Sequence, residues 1–239
     1  MDARVTILDR IRTASLATVR TLTVCAPTMA EALVSKVPRE RCDDRLDWWS
    51  RALLDDVGVV LDVRGRENLE PHEPMVVMSN HQSLYDIPVL FQSLPRSVRM
   101  VAKTELFRVP VWSHALRAAE FVEIDRKNHR RAVRSLAYAR KLIQSGISVW
   151  IAPEGTRSQD GRLLPFKKGG FVVAQDVGVP ILPVTVEGTR RILPARTSDI
   201  HLGVRVRVTI HPRVETRGAG DREVLVKRVR EAIASGLDG

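Results

Sequence analysis

The amino-acid sequence predicts an α/β fold in which a mixed central sheet is flanked by helices and preceded by an N-terminal helical appendage. From residue 58 onward, short apolar runs of strand length alternate with segments whose apolar residues recur at helical spacing. Before residue 58 the periodicity is helical throughout. Hydrophobic residues make up 44% of the 239 positions, which is enough to bury the core of one large domain with an appendage.

The appendage covers residues 1–57, and we expect it to interact with membranes. Apolar residues of its first part fall on one half of a helical wheel. We expect this helix to end near Pro27, because proline lacks a backbone N–H and clashes with the preceding turn. A second helix is expected over 43–57, where Trp48 and Trp49 offer surface suited to the headgroup boundary of a bilayer. The alternative is that both helices simply pack on the α/β core.

The second unit covers residues 58–239. Its strands are predicted at 58–63, 75–79, 98–102, 121–124, 147–151, 181–186 and 204–210. Helical spacing is clearest at 128–145, and the segment 220–236 is typical of a closing amphipathic helix.

Charge indicates an anionic partner. The formal net charge is +10, and the appendage carries nine basic and nine acidic side chains, so the whole excess lies in residues 58–239. A membrane surface, phosphorylated small molecules and nucleic acid would all suit such a chain. Only 5% of the residues are aromatic and no nucleic-acid-binding motif is present, so we expect no nucleic-acid partner. Two cysteines are too few for a metal site or a disulfide framework, and we expect neither a metal nor a cofactor.

The stretch SNHQSLYD places His81 and Asp86 five positions apart, directly after an apolar run. In a regular helix the two side chains would point about 140° apart, so they can pair only if the chain turns between them. The apolar run is typical of a buried strand, and Ile87-Pro88 of a helix start with Asp86 near its N-cap. A carboxylate that accepts one imidazole N–H leaves the other nitrogen free to take a proton from a hydroxyl. This pair is therefore predicted to be a general base and its orienting partner. The alternative is a polar loop in which Asp86 only caps the helix.

A second loop, PEGTRS, follows the predicted strand at 147–151. In open α/β sheets, ligands bind at the carboxyl ends of strands, so this loop and SNHQSLYD are expected to share one cleft. Gly155 would allow close backbone approach and Arg157 offers a planar fork suited to phosphate. Lys103 and Arg126 follow two further predicted strands and would add positive charge to such a site.

In this order the motifs resemble the glycerolipid acyltransferase family, whose best-known members are 1-acylglycerol-3-phosphate acyltransferases. The resemblance covers about residues 60–215 and rests on His81 to Asp86 (the N-H-x-x-x-x-D motif), Lys103, Ile124-Asp125-Arg126, Pro153 to Ser158 and Val179 to Val184. The last segment is expected in the core and as a wall of an acyl pocket. Glu120 departs from the pattern, because the family is expected to have a small residue there, often glycine.

The resemblance implies that residues 58–239 form an acyltransferase domain, which moves a fatty acyl group from acyl-CoA or acyl-carrier protein to the hydroxyl of 1-acylglycerol-3-phosphate. His81 would be the general base and Asp86 its partner. The acceptor would be bound by Lys103, Arg126, Glu154, Gly155, Thr156 and Arg157, with Glu154 positioning a neighbouring group rather than touching phosphate. The expected location is the cytoplasmic side of the cell membrane, bound peripherally or monotopically.

Three alternatives remain open from the sequence. The acceptor could be another lysolipid, such as a lyso-ornithine lipid. The reaction could be that of a serine hydrolase using Ser79, Ser83 or Ser158 with His81, although no G-x-S-x-G elbow is present. The chain could also be a non-enzymatic basic protein that binds membranes or nucleic acid.

Overall fold

The structure, a computed structural model, describes residues 6–70, 73–94, 97–125, 128–218 and 220–237. Its centre is a seven-stranded sheet in the order β1-β7-β6-β2-β5-β3-β4. The strands are β1 (Val60–Arg64), β2 (Val76–Ser79), β3 (Val98–Lys103), β4 (Val122–Ile124), β5 (Ser148–Ile151), β6 (Ile181–Glu187) and β7 (Arg205–Ile210). The α/β fold with a mixed sheet is confirmed, and each predicted strand is present within a few residues of its expected bounds.

Helices flank the sheet and precede it. They are α1 (Ile7–Val34), α2 (Arg39–Asp56), α3 (Asp86–Ser93), α4 (Trp112–Ala118), α5 (His129–Gln144), α6 (Gly169–Val177), α7 (Thr189–Ile192) and α8 (Arg222–Ser235). Short 3-10 turns occur at Arg66–Asn68 and Thr104–Arg108.

The sheet topology brings the predicted site segments to one edge. The strands β6, β2, β5, β3 and β4 run parallel, whereas β7 is antiparallel to β6 and β1 is parallel to β7. Because parallel strands end at the same edge, the residues that follow β2, β3, β5 and β6 lie side by side. The strand β2 has β5 on one side and β6 on the other, so the loop after β2 has a neighbour in each direction.

Apolar side chains form a core on each face of the sheet. One core takes residues from α2, α3 and α4, and the other from α5, α6 and α8. Successive residues of β2 alternate between the two cores: Val77 contributes to the first, whereas Val76 and Met78 contribute to the second. A sheet buried on both faces accounts for the continuous apolar runs in the sequence.

The expectation that the first helix ends near Pro27 is wrong. The helix α1 continues to Val34 with this proline inside it. It packs against α2, whose side chains hold it on both sides of the proline. Trp49 donates an indole N–H to Thr21 at 3.1 Å, and Arg45 is paired with Glu31 at 2.9 Å. These tertiary contacts outweigh the local cost of proline, which sequence propensity alone does not register.

The helix α1 presents its apolar side chains to solvent. Ile7, Leu8 and Ile11 are 75%, 77% and 58% exposed. Its buried positions include Thr13 and Thr28, whose hydroxyls donate to backbone carbonyls one turn earlier in the same helix. The two threonines therefore face the protein with their hydroxyls hydrogen-bonded. The three larger apolar residues face solvent.

Glu120 stands where the resemblance predicts a small residue, and its backbone conformation suits one. Its backbone has φ 60°, in the left-handed region that suits glycine. The side chain turns towards α2, where Arg39 donates two hydrogen bonds to its carboxylate at 2.6 and 3.0 Å. Arg39 also donates to the carbonyl of Ser145. The larger side chain thus connects α2 to the core rather than pointing into the cleft.

Candidate active site

His81 and Asp86 are in contact, as their predicted roles require. The chain turns after β2, and the two residues are joined by a hydrogen bond of 2.7 Å between His81 Nδ1 and Asp86 Oδ2. The same Oδ2 accepts the backbone N–H groups of Gln82 and Ser83 at 2.7 and 3.0 Å. Because Oδ2 already accepts two backbone N–H groups, it acts as an acceptor towards the imidazole as well, which assigns the ring proton to Nδ1 and leaves Nε2 as the basic nitrogen.

The backbone around His81 is held from both sides. Its N–H donates to Glu154 Oε1 at 2.8 Å, and its carbonyl accepts the N–H of Ser158 at 2.7 Å. The preceding Asn80 exchanges two hydrogen bonds of 2.7 Å with the backbone of Val186 in β6. The loop is therefore fixed to β6 and to the segment that follows β5, and the imidazole has a defined position.

Trp150 packs beside the imidazole. The two rings meet edge to face, with centroids 6.2 Å apart and planes at 88°. The indole N–H donates to Ser79 Oγ at 2.9 Å. This hydrogen bond gives the buried indole N–H an acceptor and fixes the orientation of the ring. The His81 side chain keeps 16% of its surface exposed, whereas Asp86 is fully buried. The imidazole is thus accessible from solvent, whereas its carboxylate partner is not.

Glu154 is buried and binds protein backbone. Its Oε1 accepts from the N–H of His81, and its Oε2 accepts from the N–H of Leu164, each at 2.8 Å. Burial raises the pKa of this carboxyl, and the two N–H donors oppose that shift. Because two donors require two unprotonated oxygens, the geometry favours the ionised carboxylate despite its burial. Glu154 ties the PEGTRS loop to the loop that carries the base.

Two of the predicted acceptor-binding cations, Lys103 and Arg157, lie at the same sheet edge, and their side chains are not paired with described residues. Lys103 is the last residue of β3 and is exposed, and Arg157 is half-buried. Among the residues that the structure describes, neither side chain has a hydrogen bond or an ion pair. Thr156 is exposed between Gly155 and Arg157. Arg126 lies outside the described residues.

Lys167 joins this group, although sequence reasoning did not identify it. Gly155 has φ 71°, and a Cβ placed there would come within 2.9 Å of Lys167 Nζ. The backbone N–H of Lys167 donates to the carbonyl of Pro153 at 2.8 Å, so the lysine is fixed against the PEGTRS loop. Its ammonium group therefore lies beside Gly155, two residues before Arg157 in the sequence.

The serines considered as nucleophiles have other partners. Ser79 Oγ accepts from Trp150, and Ser83 Oγ donates to the carbonyl of Leu193 at 2.8 Å. Ser158 Oγ is bonded to Asp160 at 3.1 Å. In the described structure no serine is hydrogen-bonded to Nε2 of His81, as activation of a nucleophile would require.

An apolar cavity of about 720 Å³ adjoins the loop that carries the base. Leu84 and Tyr85, which lie between His81 and Asp86 in sequence, form part of its wall. The inner face of α1, together with α2, α3 and α4, supplies most of the rest. Cys25 is in this wall, and burial raises the pKa of its thiol to about 11. The segment 179–184 was expected to line an acyl pocket, but it does not line this cavity.

Two further features bear on function. Over the described ranges, no group of three or more histidine, cysteine, aspartate or glutamate side chains is arranged to hold a metal ion. Among the helices described, none combines the length and apolar character needed to cross a bilayer.

Comparison with known proteins agrees with this geometry. The acyltransferase family model matches residues 60–187. A chloroplastic 1-acyl-sn-glycerol-3-phosphate acyltransferase of Brassica napus is 39% identical over 178 residues, which cover 74% of this chain and 51% of that protein. The human 1-acyl-sn-glycerol-3-phosphate acyltransferase alpha is 33% identical over 179 residues, covering 74% of this chain and 63% of that one. The chain thus spans about half to two thirds of the length of these relatives.

A solved structure extends the comparison to the whole fold. The crystal structure of the 1-acyl-sn-glycerophosphate acyltransferase PlsC from Thermotoga maritima superposes with a TM-score of 0.84 at 28% identity. The match covers 96% of this chain and 93% of that one, so it includes the N-terminal helices. With the fold, the His81–Asp86 pair and the family model in agreement, the chain belongs to the acyltransferase family.

Proposed function

We propose that this protein transfers a fatty acyl group from a thioester, either acyl-CoA or acyl-carrier protein, to the free hydroxyl of 1-acylglycerol-3-phosphate. The observation that carries the proposal is the His81–Asp86 pair, in which a buried carboxylate orients an imidazole that keeps part of its surface exposed. The names of the matched relatives support the same acceptor.

In the proposed reaction, His81 Nε2 takes the proton of the acceptor hydroxyl as its oxygen attacks the thioester carbonyl. Asp86 stabilises the imidazolium that forms, and keeps the ring in the tautomer that leaves Nε2 basic. The tetrahedral intermediate then expels the thiolate, which takes the proton from the imidazolium. The products are phosphatidic acid and a free thiol, and no acyl-enzyme forms.

The open cations are proposed to bind the acceptor phosphate. Arg157 offers paired donors, and Lys103 and Lys167 add point charges at the same sheet edge. Arg126 remains a candidate for the same site by its place in the sequence. Glu154 is proposed to act through backbone contacts, because both of its oxygens accept N–H groups of the protein.

The cavity is proposed to accommodate a fatty acyl chain. Its volume of about 720 Å³ falls within the usual range for ligand pockets, and its lining is predominantly apolar. Leu84 and Tyr85 place one wall next to the base, so a chain held there could present its carbonyl near His81. The inner surface of α1 would then contribute to substrate binding.

The test is an acyl-transfer assay with purified protein, one labelled acyl-CoA and a panel of lysolipid acceptors. We expect transfer to lysophosphatidic acid that greatly exceeds transfer to lysolipids without a terminal phosphate. A parallel assay with acyl-carrier protein would identify the donor. Preferred transfer to a lyso-ornithine lipid would support the alternative acceptor. Release of free fatty acid without any transfer would contradict an acyltransferase.

We also propose that residues 1–57 bind the protein to a membrane surface. The outward apolar residues of α1 and the 41% exposed Trp48 of α2 form a surface suited to the interface between headgroups and acyl chains. Since the appendage is charge-balanced, attraction to anionic lipid would come chiefly from the basic remainder of the chain.

Vesicle co-sedimentation tests this second proposal on the full chain. The variant Ile7→Ser/Leu8→Ser/Ile11→Ser should bind anionic vesicles several-fold more weakly than the wild type. The control Val133→Ser alters an apolar residue of α5 that is also exposed, and should bind normally. Added salt should weaken the binding of all three proteins to the vesicles. Equal binding by the triple variant and the wild type would show that another surface contacts the membrane.

A further inference from the structure

Asp86 has a partner that is remote in the sequence. Thr189 lies 103 residues later and is fully buried. Its hydroxyl donates to Asp86 Oδ1 at 2.5 Å. The other oxygen, Oδ2, accepts from His81 and from two backbone N–H groups. Thr189 is thus the one donor to Oδ1 found among the described residues.

The fold fixes the position of this hydroxyl. Thr189 begins α7 directly after Gly188, which follows the last residue of β6 and has φ 97°. A Cβ at Gly188 would come within 2.5 Å of the carbonyl oxygen of Arg205 in β7. The turn is therefore packed against the neighbouring strand, and a larger residue at 188 would displace it. Because β6 lies next to β2, this turn lies beside the loop that carries the base.

We propose that Thr189 is a positioning residue that fixes the carboxylate of Asp86 and thereby the imidazole of His81. The terminal torsion of an aspartate has broad preferences, so the carboxylate keeps one orientation only through its hydrogen bonds. The hydroxyl adds a donor on Oδ1, the oxygen that the other three donors do not contact, and it satisfies an oxygen that water does not reach. This inference rests on the proposed role of His81 as general base.

Two substitutions separate the hydroxyl from packing. Thr189→Val keeps the shape and removes the donor, whereas Thr189→Ser keeps the donor and removes a methyl group. We expect the valine variant to lose about 10–100-fold in kcat, the range for a lost hydrogen bond to a charged group, with the acceptor KM little changed. The serine variant should stay within about threefold of the wild type. A packing role predicts the reverse order, and that order would overturn the proposal.

A matched control uses another buried threonine. Thr216 donates its hydroxyl to the carbonyl of Val179 at 2.9 Å, far in the sequence from the base. Thr216→Val should lower the melting temperature but leave kcat unchanged. If Thr189→Val does not fold, Thr189→Ser and Thr189→Ala make the same comparison, since serine and alanine differ by the hydroxyl alone. Equal kcat in those two variants would count against the proposal.

A readout independent of catalysis distinguishes this inference from the proposed function. Thr189→Val should lower the melting temperature by roughly 2–8 °C in the wild-type background and by much less in an Asp86→Ala background, where no carboxylate is left unsatisfied. Equal shifts in both backgrounds would overturn the role of Thr189, whatever the activity. A wild-type protein that transfers no acyl group would overturn the proposed function instead, and the melting comparison would still test the contact.

Discussion

The loop that carries His81 and the cations proposed to bind phosphate differ in how the folded chain holds them. The side chain and backbone of His81 are bonded to Asp86, Glu154 and Ser158. The side chains of Lys103 and Arg157 have no such partner within the described part of the chain. The imidazole is therefore oriented by the protein itself, whereas the two cations are not held in place by any residue that the structure describes.

This difference has a physical reason. Proton transfer requires the base within hydrogen-bond distance of the hydroxyl, so small displacements of the imidazole reduce the rate steeply. Phosphate has several equivalent oxygens, and long flexible side chains can adjust to it. Changes in the first region should therefore act on kcat, and changes in the second on the acceptor KM.

The largest expected effect is the loss of the base. His81→Ala should lower kcat by about 10²–10⁴-fold, which is the usual contribution of a general base. Asp86→Asn should be nearly as damaging, because an amide favours the wrong imidazole tautomer. Steady-state kinetics on folded protein measures both. Turnover close to that of the wild type in His81→Ala would end this mechanism.

Next is the loss of Arg157. Arg157→Ala should raise the acceptor KM by about 10–100-fold, the range for a charge-assisted bond to phosphate, with kcat nearly unchanged. Lysine at this position should restore only part of the affinity. Arg162→Ala is the matched control, since its side chain is 90% exposed on the same loop. If Arg157→Ala lowered kcat alone, the arginine would act in the transition state.

A substitution of Glu154 tests whether this residue acts on the position of His81 or on acceptor binding. Glu154→Gln leaves one oxygen for two N–H donors, so either His81 or Leu164 loses a bond. We expect kcat to fall about tenfold, the value of one such bond, with the acceptor KM unchanged. A rise in KM at constant kcat would instead indicate that Glu154 contacts the acceptor.

The smallest effect concerns another histidine, His211, which is buried. His211 is bonded at 2.8 Å to the hydroxyl of Thr185, which itself donates to the carbonyl of Ile233, so Nε2 of His211 is the donor in this pair. Burial lowers its pKa below 6.5, so the unfolded chain takes up the proton first. Its stabilisation is complete above pH 6.5 and is lost as the pH falls through the lowered pKa.

His211→Gln tests this behaviour and the comparison together. Glutamine does not titrate, so the melting temperature of the variant should fall less than that of the wild type between about pH 7 and pH 5. Its kcat at neutral pH should be unchanged, because a histidine held by a hydroxyl has no carboxylate to stabilise an imidazolium. A large loss of activity would mean that residues far from the cleft also fix the base.

The sequence was informative wherever short-range patterns decide the outcome. The strands were predicted because each is either an apolar run or an alternation of apolar and polar residues. The spacing of His81 and Asp86 pointed to their pairing because the contact is local. The end of α1 was misplaced at Pro27 because contacts from α2 override the proline, and no local pattern carries that information.

The residues that were missed come from distant parts of the chain. Thr189 reaches Asp86 only because β6 pairs with β2, and strand order cannot be read from strand patterns. Lys167 reaches Gly155 through a long loop. The cavity is formed between α1 and the core, so it exists only once the appendage is packed.

The pairing of Glu120 with Arg39 has a consequence for how the sequence can change over time. A non-glycine residue at φ 60° costs roughly 1–2 kcal/mol, which the contact with Arg39 offsets. Replacing Glu120 by glycine gives up the contact and the strain together, so that step is nearly neutral. Losing Arg39 first retains the strain and leaves a half-buried carboxylate without its partner. Substitutions at these two positions should therefore accumulate in one order, with residue 120 changing before residue 39.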